Sequence, residues 1–200
     1  MTQSKPKSFV VGITGASGAV YGMRLTETLL SMGFTVHLLV SHAGWRVLKE
    51  ELGVNTSDRD GFLNEKFKDC PGSLLYHPIA DIGASIASGS YRVEGMIIMP
   101  CSMGTLSAVA AGTSDNLMTR AADVMMKEGR PLVIVPRETP LHAIHLENML
   151  KLSRLGVRII PAMPAFYFGP QSLDDLVNFM VGKVLDSFNI EHALFRRWEG

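Results

Sequence analysis

Short apolar runs, greasy on both faces and separated by helical spacing, constrain this chain more than any other feature. They fall at residues 9–13, 35–40, 96–99, 132–135 and 157–160. A strand that is apolar on both faces must be covered on both, which is the habit of a parallel sheet sandwiched between helices. The intervening blocks supply those helices. Residues 19–31 carry Val20, Met23, Leu25, Leu29 and Leu30 largely on one face, and Gly33 stops the run. Ser41 is placed to cap a second helix that ends near Gly53, and further helical stretches are expected at 106–111, 117–127, 141–152 and 172–188. Residues 55–72 are polar and irregular. The expectation is one three-layer α/β domain over residues 1–200, Rossmann-like or flavodoxin-like, with residues 1–7 as a disordered tail.

Composition narrows the function classes. Nineteen Lys and Arg balance nineteen Asp and Glu, so no basic footprint for nucleic acid exists. Zero net charge with 12 Met and 46% apolar residues points to surface covered by further copies of the chain. Two cysteines without CxxC spacing offer neither a disulfide framework nor a zinc knuckle. The N-terminus has no signal-peptide stretch, so a cytoplasmic protein is expected. Residues 95–114 lack any charge, yet Pro100, glycines and five Ser or Thr make them a poor bilayer span. No membrane partner is expected.

In open α/β sheets ligands bind beyond the carboxyl ends of the strands. There the sequence places Thr14-Gly15-Ala16-Ser17-Gly18, then Ser41, then Pro100-Cys101-Ser102-Met103-Gly104-Thr105, then Arg137-Glu138-Thr139-Pro140. Hydroxyls, glycines and helix starts of this kind hold phosphates, and a positioned Arg can clamp one. None of these blocks is GxGxxG, a P-loop or a GxSxG elbow. Several residues have plainer readings. Cys101 reads as a buried thiol, His142 and His145 as ordinary helix histidines, and Arg120 with Lys127 as a solvated flank beside Asp123. Tyr167 taken alone reads as core, and Trp198 as either an oligomer contact or an aromatic wall.

In order along the chain stand Gly12-Ile-Thr-Gly-Ala-Ser-Gly18, Ser88-Gly-Ser90, the 100–105 block, Asp115-Asn-Leu-Met-Thr-Arg-Ala-Ala-Asp-Val124, Arg137-Glu-Thr-Pro-Leu141, Leu146-Glu-Asn-Met-Leu150 and Pro161-Ala-Met-Pro-Ala-Phe-Tyr167. Together they resemble the UbiX-type flavin prenyltransferase family over nearly the whole chain. The resemblance implies metal-free transfer of a dimethylallyl group from dimethylallyl monophosphate to N5 and C6 of reduced FMN. It further implies a homododecamer and delivery of the product to a UbiD-type decarboxylase. It assigns FMN contacts to Gly15, Ala16, Ser17, Ser41, Ser90, Ser102, Met103, Gly104, Thr105 and Arg137. Tyr167 and Lys183 become donor contacts, with Arg120, Lys127 and Glu138 around the phosphate and Trp198 as an aromatic face for the developing cation. Ser17, Glu51 and Glu138 are the implied catalytic groups, Glu51 arriving from a neighbouring subunit. Gly104 and Phe168-Gly169 depart from the family pattern. The alternatives are an FMN-dependent decarboxylase of cysteine-containing substrates, whose relatives carry a different loop at 100–105, and a simple flavin electron carrier.

Overall fold

A computed structural model describes residues 7–198. Six strands form one parallel sheet: β1 (Ser8–Ile13), β2 (Thr35–Val40), β3 (Ser73–His77), β4 (Gly95–Cys101), β5 (Leu132–Pro136) and β6 (Arg158–Ile159). Their spatial order is β3-β2-β1-β4-β5-β6. That is the Rossmann order rather than the flavodoxin one, and it puts the switch point between β1 and β4. The helices are α1 (Ala19–Ser31), α2 (His42–Leu52), α3 (Arg59–Phe67), α4 (Met103–Ala111), α5 (Leu117–Lys127), α6 (Ala143–Arg154) and α7 (Leu173–Asp186).

Alternation along each strand divides the core in two. Val11, Ile13, Leu38, Ile97 and Val133 face the layer of α1, α2 and α7. Val10, Leu39, Met96, Ile98 and Ile134 face α4 and α5. Each apolar run therefore feeds both layers, as two-faced strands must. Caps fix the helix starts: Ser41, Ser102 and Ser172 each accept an amide of their own helix, and Asn116 forms a capping box with Thr119.

Five strands were expected and six exist among the described residues. β3 lies at the sheet edge with alternating half-exposed residues, so it lacks the two-faced greasiness that marks the others. Helix α3 occupies part of the stretch expected to be irregular, buries only Leu63 and Phe67, and is capped by Asp58. The last expected strand shrinks to two residues. Of the expected tail only Lys7 is described, and its carbonyl accepts the Thr35 amide at 3.0 Å. Residues 1–6 lie outside the described residues. Among the described residues, no helix is long and apolar enough to cross a membrane.

Candidate active site

The strand ends are laced into one rim. Thr14 Oγ1 donates to the Pro100 carbonyl at 2.9 Å and accepts the Ser102 amide at 2.7 Å, joining the β1 and β4 loops across the switch point. The Ser41 amide donates to Ile13 O at 3.0 Å, and the Arg137 amide to Cys101 O at 3.1 Å. A Cβ on Gly15 would collide with Ala43, so only glycine lets the β1 loop lie flat against the start of α2. Gly18 has φ 97°, a left-handed conformation that suits glycine at the entry to α1. Burial pushes the Tyr21 phenol up, while the Arg137 cation pulls it partly back.

The start of α1, just past the 15–18 turn, already carries an anion. The amides of Gly18 and Ala19 at the start of α1 donate to the Glu51 carboxylate at 3.0–3.1 Å. Glu51, expected from a neighbouring subunit, thus closes on its own chain. Its negative charge already satisfies the positive end of α1. The start of α4 remains for a phosphate. Ser102 takes the Thr105 amide and bonds the Thr105 hydroxyl at 3.1 Å, which leaves the first-turn amides of Met103 and Gly104 without helical partners. A Cβ at Gly104 would meet nothing within 4 Å, so that departure from the family pattern opens room instead of filling it. Ser41 accepts the Gly44 amide and keeps its own O–H to donate. The rim fits the phosphate and polar edge of FMN.

Glu138 and Arg137 line a cavity of about 260 Å³ with Thr139, Leu141, Met149 and Met163. Glu138 Oε1 accepts the Thr139 amide at 3.0 Å and is exposed. Cys101 is fully buried, and burial pushes its thiol well above the usual range, so it is no nucleophile. His142 caps α6, as an ordinary helix histidine can. Among the described residues, no group of three His, Cys, Asp or Glu could hold a metal.

The other expected residues do not join this rim within one chain. Helix α5 runs antiparallel to the strands and leads through Arg130 and Pro131 into the start of β5, so Lys127 ends at the opposite edge of the sheet. The length of β5, roughly 15 Å, separates it from Arg137. Arg120 donates to Ala87 O at 3.1 Å and pairs with Asp123 at 2.8 Å; Lys127 pairs with Glu128 and not with Asp123. This side of the sheet also carries Ser90, whose hydroxyl meets that of Ser88 at 2.9 Å. Tyr167, Trp198 and Lys183 gather on the α7 side instead. The Tyr167 and Trp198 rings meet edge to face at 5.7 Å, Tyr167 also meets Phe179 of α7, and Lys183 sits 3.7 Å from Asp186. The predicted residues thus form three groups on three surfaces. Sequence reasoning missed Thr14 as the tie across the switch point and Arg130, whose guanidinium donates to Tyr91 O and Gly89 O. Thr14 was visible within the glycine block, whereas nothing in the sequence pairs Arg130 with the 88–91 loop.

A fold and rim of this kind define a flavoprotein, and the flavoprotein family model matches residues 1–185. A flavin prenyltransferase UbiX from Alkalihalophilus pseudofirmus is 59% identical over 198 residues, covering 99% of both chains. The chain belongs to the UbiX flavin prenyltransferase family. A crystal structure of AnUbiX (PadA1) in complex with FMN and dimethylallyl pyrophosphate superposes with a TM-score of 0.90 at 40% identity, covering 98% of this chain and 99% of that one. A dodecameric FMN-dependent UbiX-like decarboxylase from Escherichia coli O157:H7 gives 0.87 at 45% identity, covering 96% and 100%.

Proposed function

We propose that this chain transfers a dimethylallyl group from dimethylallyl monophosphate to N5 and C6 of reduced FMN, yielding the cofactor of a UbiD-type decarboxylase in the cytoplasm. The observation that carries the reading is the laced rim, with an open α4 start beside Arg137 and Glu138. Ser41, Ser102, Thr105 and the amides of Met103 and Gly104 hold the FMN phosphate, with Arg137 as a clamp. Gly15, Ala16, Ser17 and Ser90 border the ring system. When bound, reduced FMN supplies the nucleophilic nitrogen and carbon.

The protein's own task is charge. When the allylic C–O bond breaks, its electron pair stays on the phosphate and a cation remains on the five-carbon unit. Arg120, Lys127 and Lys183 stabilise the phosphate, the Tyr167 hydroxyl donates to it, and the Trp198 ring face stabilises the cation. Glu138 hands the leaving phosphate a proton, Ser17 relays protons near the flavin, and Glu51 keeps the α1 loop in shape. Because these groups occupy three surfaces of one chain, the active unit is an oligomer, a dodecamer by analogy with the Escherichia coli relative.

Anaerobic incubation with reduced FMN and dimethylallyl monophosphate, followed by mass spectrometry of the released flavin, tests the proposal. A flavin heavier by one five-carbon unit is expected, and recovery of unmodified FMN alone would overturn it.

A further inference from the structure

Glu128 directly follows Lys127 at the end of α5, and its carboxylate turns back onto the Lys127 ammonium at 2.5 Å. It also rests against the 88–90 loop. A Cβ on Gly89 would collide with Glu128 Oε1 and come within 2.8 Å of Lys127 Nζ. That loop is firmly held. Arg130 donates to Gly89 O at 2.5 Å and to Tyr91 O at 2.6 Å, while Arg120 donates to Ala87 O at 3.1 Å. The carboxylate therefore fills the gap between a fixed loop and the one cation that ends α5. Its hydrogen bond to Lys127, with the Lys127 and Arg130 charges, holds the Glu128 carboxyl below the usual range, so the group is a permanent anion near neutral pH.

We propose that Glu128 is a resident counter-ion of Lys127: its carboxylate occupies the place the donor phosphate takes during turnover and reclaims it as phosphate leaves. The inference rests on the reading of Lys127 as a phosphate ligand. The Lys127 and Glu128 side chains are 45% and 35% exposed, so water screens the pair and holding it together contributes little. A phosphate carries more charge than a carboxylate and displaces it. Once the C–O bond has broken, an anion one residue away competes with the free phosphate for the same ammonium. Lys127 is thereby positioned in the empty site and the product is released more readily.

The test uses the full chain, assembled and loaded with FMN, with inorganic phosphate as the probe. Phosphate binding is measured by calorimetry and by inhibition of turnover in the native protein, Glu128→Gln, Lys127→Met and the double variant. Glu128→Gln should bind phosphate about two- to five-fold more tightly, and the donor KM should fall alongside without a rise in kcat. In the Lys127→Met background the same change should have no effect. Glu128→Ala, read the same way, serves if the glutamine variant fails to assemble. Phosphate affinity unchanged or weakened by loss of Glu128, with Lys127→Met still costing affinity, refutes the counter-ion role. A Lys127→Met protein that binds phosphate normally refutes the underlying assignment of Lys127.

Discussion

Acid should loosen this fold through buried His37 and its partner His77. His37 on β2 is 1% exposed; its Nδ1 lies 2.9 Å from His77 Nε2, and its Nε2 lies 3.1 Å from the Tyr91 hydroxyl. Both ring nitrogens are thus committed. The chain in which Tyr91 O–H donates to His37 and His37 donates to His77 satisfies both His37 nitrogens with both rings neutral. Burial, and then the neighbouring His77, push His37 from 6.5 down to about 4. His77 is lowered too, chiefly by burial, with Asp81 opposing. Between those two values the unfolded chain binds the proton and the folded chain does not. Stability present above pH 6.5 is therefore lost as the pH falls toward 4. The gap corresponds to roughly 3 kcal/mol in total, and roughly 2 kcal/mol by about pH 5. Urea unfolding from about pH 7 to about pH 5, at fixed protein concentration because assembly adds to stability, reads this directly. His37→Gln should be less stable at neutral pH, yet its stability should fall less steeply with acid, by about 1.4 kcal/mol per pH unit. Parallel curves for the two proteins would refute the reasoning.

Three further outcomes are expected. Riboflavin, lacking the phosphate that the α4 start and Arg137 hold, should bind at least about tenfold more weakly than FMN, and Arg137→Ala should narrow that difference; equal affinities by fluorescence titration would contradict the rim assignment. Turnover should survive EDTA, while Lys127→Ala and Glu138→Gln should lower it with FMN still bound; strict magnesium dependence, or native rates in both variants, would contradict an organic charge supply. Activity should track the oligomer in light scattering, so a fully active monomer at assay concentration would contradict a shared site.

Most of the sheet was legible because two-faced apolar strands leave a strong mark, and β1, β2, β4 and β5 carry it throughout. The edge strand β3 leaves a weaker one, since half its side chains meet solvent and the run looks like any mixed segment. The rim was legible for the same reason as the sheet. Whatever follows each buried strand must gather at one edge, so Thr14, Ser41, Ser102 and Arg137 could be grouped before any coordinates. What could not be read was which partner a charged side chain takes. Glu51 reaches the α1 amides across 32 and 33 residues, and Arg130 reaches Gly89 across 41, distances in sequence that no local pattern encodes. Lys127 shows the same limit at short range: the helical spacing offered Asp123, and the adjacent Glu128 took the contact.

Lys127 and Arg137 lie beyond opposite ends of β5, so on the proposed function the amino-end surface of one chain meets the carboxyl-end rim of another. A two-fold pair, in which each chain offers both surfaces reciprocally, and a head-to-tail ring can each bring them together. A working site is then a property of several chains, and each chain lends its separate surfaces to different sites. Two impaired proteins can therefore make an active one. Mixed after dissociation, chains carrying Lys127→Ala and chains carrying Arg137→Ala would reassemble at random. About a quarter of the junctions would then join an intact Arg137 edge to an intact Lys127 edge.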